Sequence, residues 1–423
     1  MLEFYHALVS NYHAFINSPD IWKYLSIPVV AAIVGWGTNW VAIQMTFYPI
    51  NFLGIPPWLG WQGIIPRKGR KMASIVVENT LEKISTMQEI FDEFEPEKIA
   101  HHVIKVADSR IEELTDDIMT ERNAVLWENL PNVVKNRAYS RVRRQLPQML
   151  DNLVEDMHAN IEDLIDPKDL IIKKLSEDKA MLNRVFWECG ETEFKFVVNS
   201  GFWFGFLFGV IQMVIWWFYQ GWWIMPVFGL IVGLATNWLA LNLIFRPLNP
   251  VRVRIWPFPA FTVQGLFLRR QNAVSEVFCR IVTAEILTIG HIMVEIFRGP
   301  RSDRAKAMLK RHMRPIIDGG VVKTVAQLTV GPEGFVELKR TIEEKTIEMS
   351  LASFDDPVFS KERGKVVEKM FRERMQAMSA EEFQALLRPA FEEDEWILIA
   401  LGGVLGLLAG FAQLVFMFGG SVS

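Results

Sequence analysis

Three stretches of this 423-residue chain, 24–66, 196–245 and 396–423, contain no Asp, Glu, Lys or Arg. A helix rising about 1.5 Å per residue needs roughly 20 apolar residues to cross a hydrocarbon core of about 30 Å. The first and last stretches each hold one span, and the middle one holds two around a turn at 220–223. The expected spans are 27–48, 199–219, 224–246 and 396–418. Nearly all charge falls in two blocks, 67–195 and 246–395; only Glu3, Asp20 and Lys23 lie outside them. A chain that is 50% hydrophobic yet 22% charged is therefore segregated, not uniform. The first span has no basic leader and a polar centre, so it is expected to be retained and not cleaved as a signal.

The apolar stretches carry a motif twice. IVGWGTNWVAIQMTFYP begins at Ile33 and IVGLATNWLALNLIFRP at Ile231. Gly35, Thr38, Asn39, Trp40, Ala42, Phe47 and Pro49 meet Gly233, Thr236, Asn237, Trp238, Ala240, Phe245 and Pro247. Gln44 meets Asn242, and after a short insertion Gln62, Gly63, Arg67 and Lys68 meet Gln264, Gly265, Arg269 and Arg270. At the far ends Gly201, Gly205, Gly209 and Gln212 meet Gly402, Gly406, Gly410 and Gln413. Agreement at both ends of a long unit predicts a tandem duplication. Repeat 1 covers 26–219 with an insert at 67–195, and repeat 2 covers 223–418 with an insert at 269–392, after an N-terminal segment 1–25. Two spans per unit make the repeats parallel, so both inserts are expected on one side. Basic residues follow the first span (Arg67, Lys68, Arg70, Lys71) and the third (Arg246, Arg252, Arg254). By the positive-inside tendency the inserts are placed in the cytoplasm and the termini outside.

The inserts read as helices. Ala73, Val77, Leu81, Ile84, Met87, Phe91 and Phe94 step by threes and fours along one face, and Val274, Val277, Phe278, Ile281 and Val282 open the second insert similarly. Breaks are expected at Pro96, Pro167, Pro300, Pro332 and Pro357. The predicted fold is an all-α integral membrane protein: four transmembrane helices in two tandem parallel repeats, each with a large helical insert.

An amide inside hydrocarbon needs a partner, or a penalty of several kcal/mol remains. Ala31, Gly35, Thr38, Asn39 and Ala42 share one small-and-polar face, matched by Gly229, Gly233, Thr236, Asn237 and Ala240. Such faces act as packing glue between helices, the matching amides satisfying each other; the alternative is a polar substrate path. Gln44, Asn242, Gln212 and Gln413 belong to the same polar set, with Gln212 set to reach Asn39. The GxxxGxxxG rows Gly201–Gly205–Gly209 and Gly402–Gly406–Gly410 read as close helix packing. Arg67, Lys68, Arg269 and Arg270 anchor the span ends, with anionic headgroups as a second reading. Trp58, Trp61, Trp216, Trp217, Trp222 and Trp223 read as an interfacial aromatic belt.

Signals for catalysis are scarce. The chain has two cysteines, Cys189 and Cys279, one per insert and without zinc spacing. His101, His102, His158, His291 and His312 lack metal-ligand spacing and read as exposed helix residues. There is no phosphate loop or nucleophile elbow. A net charge of −4 gives no nucleic-acid footprint, and Arg141, Arg143 and Arg144 read as a solvated helix face. No enzyme activity, cofactor or metal is expected.

The G-x-x-T-N-W-x-A opening with its F-x-P stop, the Q-G turn before two basic residues, and the closing G-x-x-x-G-x-x-x-G-x-x-Q resemble the bacterial membrane proteins grouped as domain of unknown function 445. Leu268 stands where the first copy has Pro66, and Arg270 where it has Lys68. The resemblance implies an inner-membrane location and helical inserts, and supplies no reaction. The expected role is a membrane-proximal scaffold that binds lipid surface or protein partners, or a homo-oligomer, in envelope organisation. A transporter or channel with a path along Thr38, Asn39, Thr236 and Asn237 is the first rival. A lipid-handling protein with an apolar groove in its inserts is the second.

Overall fold

The computed structural model describes residues 21–55, 59–78, 84–219, 221–253, 261–392 and 395–418. The N-terminal segment before Ile21, Trp58, Leu81, Gln220 and Arg254 lie outside the described residues. Helices longer than one turn, in chain order, are α1 (Ile21–Phe47), α2 (Gly69–Val76), α3 (Met87–Glu93), α4 (Pro96–Glu128) and α5 (Asn132–Ala159). There follow α6 (Pro167–Glu177), α7 (Lys179–Phe218), α8 (Ile224–Phe245), α9 (Gln271–Ile281) and α10 (Ile289–Arg298). The last are α11 (Ser302–Ile317), α12 (Gly320–Ser353), α13 (Pro357–Gln376), α14 (Ala380–Glu392) and α15 (Glu395–Phe418). Four of them, α1, α7, α8 and α15, are long and apolar enough to cross a membrane. The α9 segment, extended to Ile286, and α10 together pass the same test across a 45° bend. Their apolar side chains Phe278, Cys279, Val282, Ile292, Met293 and Ile296 are packed inside the protein, so lipid is not needed to cover them.

The chain is not entirely helical. Leu53–Ile55 pairs antiparallel with Leu59–Trp61, and Val251–Val253 with Phe261–Val263, each just after a T-N-W helix. These short hairpins correct the all-α expectation. Both follow a proline that ends the helix, Pro49 or Pro247, and turn the chain back so that the amide of Gly63 or Gly265 reaches that proline's carbonyl at 2.9 Å.

The fold divides into two compact units, and each draws on both halves of the chain. The first comprises residues up to Val76, Leu175–Ser275 and from Met378 onward, and contains the four spans. Within it α1 packs along α7 and α8 along α15, while α7 faces α8 and α1 faces α15. Ile27, Trp216, Ile224, Met225 and Leu414 close one end as an apolar cluster. Trp216 is only 1% exposed, so it belongs to this core and not to an interfacial belt. Trp222 and Trp223 remain exposed. Away from the contacts, Trp203, Leu207, Phe218, Leu408 and Phe416 point outward, an apolar surface suited to hydrocarbon. The second span is longer than its apolar window: α7 begins at Lys179, so span and insert share one uninterrupted helix.

The second unit, Val77–Lys174 with Glu276–Ala377, interleaves the two inserts. Helix α4 packs on α5 and α12, α11 lies against α5, α10 and α12, and α13 meets α3 and α10. Cross-insert ion pairs such as Arg374–Glu89 (2.6 Å) and Arg122–Glu337 (2.9 Å) decorate the seams. Each exposed pair contributes at most about 1 kcal/mol, whereas burying one large apolar side chain contributes roughly 1.5–3 kcal/mol. Apolar contacts therefore hold the inserts together. The periodic face starting at Ala73 is not one helix. The chain breaks at Ser85–Thr86, where Thr86 and Glu89 form a reciprocal cap that starts α3. Met87, Phe91 and Phe94 are buried nonetheless. Helices start at Pro96, Pro167 and Pro357, because proline lacks the N–H that a first helical turn leaves unused.

Candidate functional site

The small-and-polar face of α1 meets the glycine row of α7. A Cβ added to Gly35 would fall onto the Gly201 carbonyl, one on Gly205 onto the Ala31 carbonyl, and one on Gly209 would lie 2.6 Å from the Pro28 Cα. The α8–α15 pair repeats the pattern: Gly233 meets the Gly402 carbonyl, Gly406 meets that of Gly229, and Gly410 meets that of Met225. Only glycine allows backbones this close, which is how helices attract one another where no hydrophobic force acts between them.

The asparagines complete these contacts. Asn39 is 1% exposed and donates its Nδ2 to the Val197 carbonyl at 2.7 Å; Asn237, 3% exposed, donates to the Leu398 carbonyl at 2.7 Å. Thus each amide binds a backbone carbonyl of the partner helix, which corrects the expectation that the amides satisfy each other. The reason is proximity: the glycine row brings backbone, not side chain, to the asparagine. Thr38 and Thr236 are buried and turn their hydroxyls back to Gly35 and Gly233 of their own helices, at 3.2 and 3.3 Å. Asn242 likewise returns to Trp238 of its own helix, and Gln44 is half-buried.

Gln212 does not reach Asn39. Its Nε2 lies 3.0 Å from the Met225 sulfur on α8, next to the apolar end cluster. Gln413 is also buried, and its Nε2 has no hydrogen-bond partner. These two residues therefore lie toward the opposite end of the bundle from the Asn–carbonyl contacts.

At the other end the structure brings in residues that the motif search missed. Asn183 donates to the Phe47 carbonyl and Gln384 to the Phe245 carbonyl, both at 3.0 Å. Each thereby satisfies the last carbonyl of a T-N-W helix, one of the orphan acceptors at a helix C-terminus. Gln62 and Gln264 donate to the carbonyls of Ile50 and Leu248 at 2.7 and 3.1 Å. The spacing could have revealed Asn183 and Gln384, since they are separated by 201 residues like the glycine rows. Arg67 and Arg269 are exposed on single-turn helices. Lys68 is half-buried and engaged in a contact of its own. Arg270 is not left for a headgroup: its guanidinium grips Glu193 at 3.0 Å, a carboxylate that is 1% exposed. Burying that charge demands a fixed cation, and Arg270 supplies it.

In the insert unit the histidines are engaged, which corrects their reading as exposed residues; only His101 is exposed. His102 stacks on Phe359 at 3.9 Å and contacts the Ser353 carbonyl at 2.8 Å. His312 contacts Asp156 at 3.0 Å, and His158 contacts Asp92 and Gln88. His291 is half-buried against the Ile286 carbonyl, and burial, then the Lys174 charge, lowers its pKa. Burial pushes the Cys279 thiol up to about 12, which keeps it a thiol at neutral pH. Among the described residues no three His, Cys, Asp or Glu converge as metal ligands.

No family model matches the chain, so the family likeness rests on its motifs alone. One relative is a protein named UPF0754 membrane protein from Microcystis aeruginosa, 32% identical over 77 residues. That match covers 18% of this chain and 19% of the relative, so the two are compared over less than a fifth of either length. Together with the four apolar helices it points to a multi-pass membrane protein related to an uncharacterised bacterial family.

Proposed function

We propose that the chain is a non-enzymatic bacterial inner-membrane protein of two tandem span–insert–span repeats, whose inserts form one cytoplasmic helical platform for a protein partner in envelope organisation. The duplication reading is supported by contacts that recur in both halves: Asn39–Val197 with Asn237–Leu398, and Asn183–Phe47 with Gln384–Phe245. Interleaving of the two inserts in one compact unit supports placing both on one side of the bilayer. Exposed Arg67 and Arg269, one per repeat, support a cytoplasmic face and contact with anionic headgroups.

The observation that carries the platform reading is a set of exposed apolar side chains at one end of the insert unit. Val125, Leu126, Leu328 and Val336 are 71%, 48%, 66% and 70% exposed, and Val133 is 63% exposed. They flank the contact in which Asn123 binds the Thr329 carbonyl. Exposed apolar residues gathered in this way mark interaction surfaces. Affinity capture from native membranes with the full-length protein and a Val125→Glu/Leu328→Glu variant tests it. A partner held by the wild type and lost by the folded variant is the expected result; identical partner sets would sink the reading. A transport path is not favoured, because the Thr38–Asn39 and Thr236–Asn237 faces are occupied by partner backbone.

A further inference from the structure

The insert unit contains a cavity of about 130 Å³ enclosed by α4, α5, α11 and α12. Its walls are almost wholly apolar, with Ile111, Ile118, Leu146, Met313, Val325 and Ile342 representative of the four helices. A packed interior rarely leaves such a volume, and an apolar cavity of this size stays dry and accepts apolar ligands. The lining residues of α4 run from Ala107 to Met119, and those of α5 from Ala138 to Met149. At about 1.5 Å per residue the slot is thus about 18 Å long. One leaflet of a bilayer core is about 15 Å deep, so the slot matches a single acyl chain in length. Its small volume over that length leaves room for one chain only.

One part of the wall is not neutral. Val142 and Val322 line the slot there, and the Arg141 guanidinium lies 3.7 Å from the position of a Gly319 Cβ. Gly319 is the N-cap of α12 and has no side chain to satisfy the first N–H groups of that helix. The nearby acid Asp318 is already paired with Lys339. A cation beside an uncapped helix start favours a carboxylate or phosphate. Neither feature alone defines a ligand, but an apolar slot with a cationic rim has the chemistry of an amphipath.

We propose that the insert unit binds one acyl chain with an acidic head, the chain in the slot and the head at Arg141 and the first turn of α12. This inference stands apart from the partner platform, since either can fail without the other. The test uses the full-length protein, delipidated in detergent, and the fluorescent fatty acid cis-parinaric acid. Saturable one-to-one binding is expected. Ala138→Leu and Ala326→Leu, each placing a larger side chain in the slot, should weaken it at least tenfold. Arg141→Ala, an exposed change, should weaken the acid several-fold and leave the matching fatty alcohol unaffected. Thermal unfolding midpoints check that each variant is folded. Absence of saturable binding to the folded wild type, or unchanged binding by both folded slot-filling variants, would overturn the proposal. Mass spectrometry of the protein from native membranes distinguishes the source, a free fatty acid or the chain of an anionic phospholipid, and either mass in one-to-one ratio supports it.

Discussion

Gly201 and Asn39 form one device: a methyl group on Gly201 would stand 2.6 Å from Nδ2 of Asn39, in the path by which that amide reaches Val197. The bare backbone clears the route and the amide closes it. Gly402 and Asn237 are related in the same way, with the amide on the Leu398 carbonyl.

Alanine scanning of the first span should therefore divide neighbouring glycines. Gly35→Ala forces α1 and α7 apart and is expected to cost about 1–3 kcal/mol or more, as overpacking does. Gly37→Ala meets nothing within 4 Å and should be neutral to slightly stabilising. Unfolding midpoints of the two variants in detergent give the comparison, and equal midpoints would refute the packing role.

The two buried glutamines should also respond differently. Gln413 leaves its Nε2 unpartnered inside the bundle, so Gln413→Leu removes a desolvation penalty of about 1–3 kcal/mol and is expected to stabilise. Gln212→Leu gives up a contact to Met225 and should gain less. Denaturation curves in the same detergent would expose a reversed order.

Arg270 and Arg269 are adjacent in sequence and opposite in consequence. Arg270→Ala strands the buried Glu193 carboxylate and is expected to cost about 3–5 kcal/mol, while Arg269→Ala at the surface should stay within about 0.5 kcal/mol. Restoration by the double change Arg270→Ala/Glu193→Gln, which removes the stranded charge, is the diagnostic measurement.

Gly331 interrupts α12 at φ 74°, ψ 172°, a region open essentially to glycine alone. Pro332 follows, and Asn123 donates to the nearby Thr329 carbonyl at 3.0 Å. Nothing crowds Gly331, so Gly331→Ala isolates backbone strain and is expected to cost about 1–3 kcal/mol. Chemical denaturation that finds no loss would mean the helix straightens without penalty.

Acid should loosen the insert unit in two stages. His291 is held below its ordinary pKa of about 6.5, so the folded state binds fewer protons than the unfolded one. Its contribution is present above about pH 6.5 and is lost as pH falls through that value. The Arg374 guanidinium, then the Thr86 amide, hold the Glu89 carboxyl near 2, so its contribution is lost only between about pH 4.3 and 2. Hydrogen exchange of the insert helices against pH should show the upper stage in the wild type and a flattened one in His291→Gln.

Much of the membrane unit was legible in one dimension. Runs free of charge mark spans because each hydrocarbon-crossing residue bears its own transfer cost, a local sum that needs no fold. The glycine rows and the T-N-W pairs were visible for the same reason, as residue types out of place in hydrocarbon. Partner choice was not. Asn39 meets Val197 across 158 positions and Arg363 meets Glu95 across 268, and no periodicity encodes which distant backbone arrives. The same holds for Gln212 at Met225, for Arg270 on Glu193, and for the slot between α4, α5, α11 and α12. Hydropathy and helical period set which segments are buried and which face is apolar. Only the packing of segments from both halves of the chain decides which polar atoms are satisfied and where space is left unfilled, because both depend on shapes meeting in three dimensions.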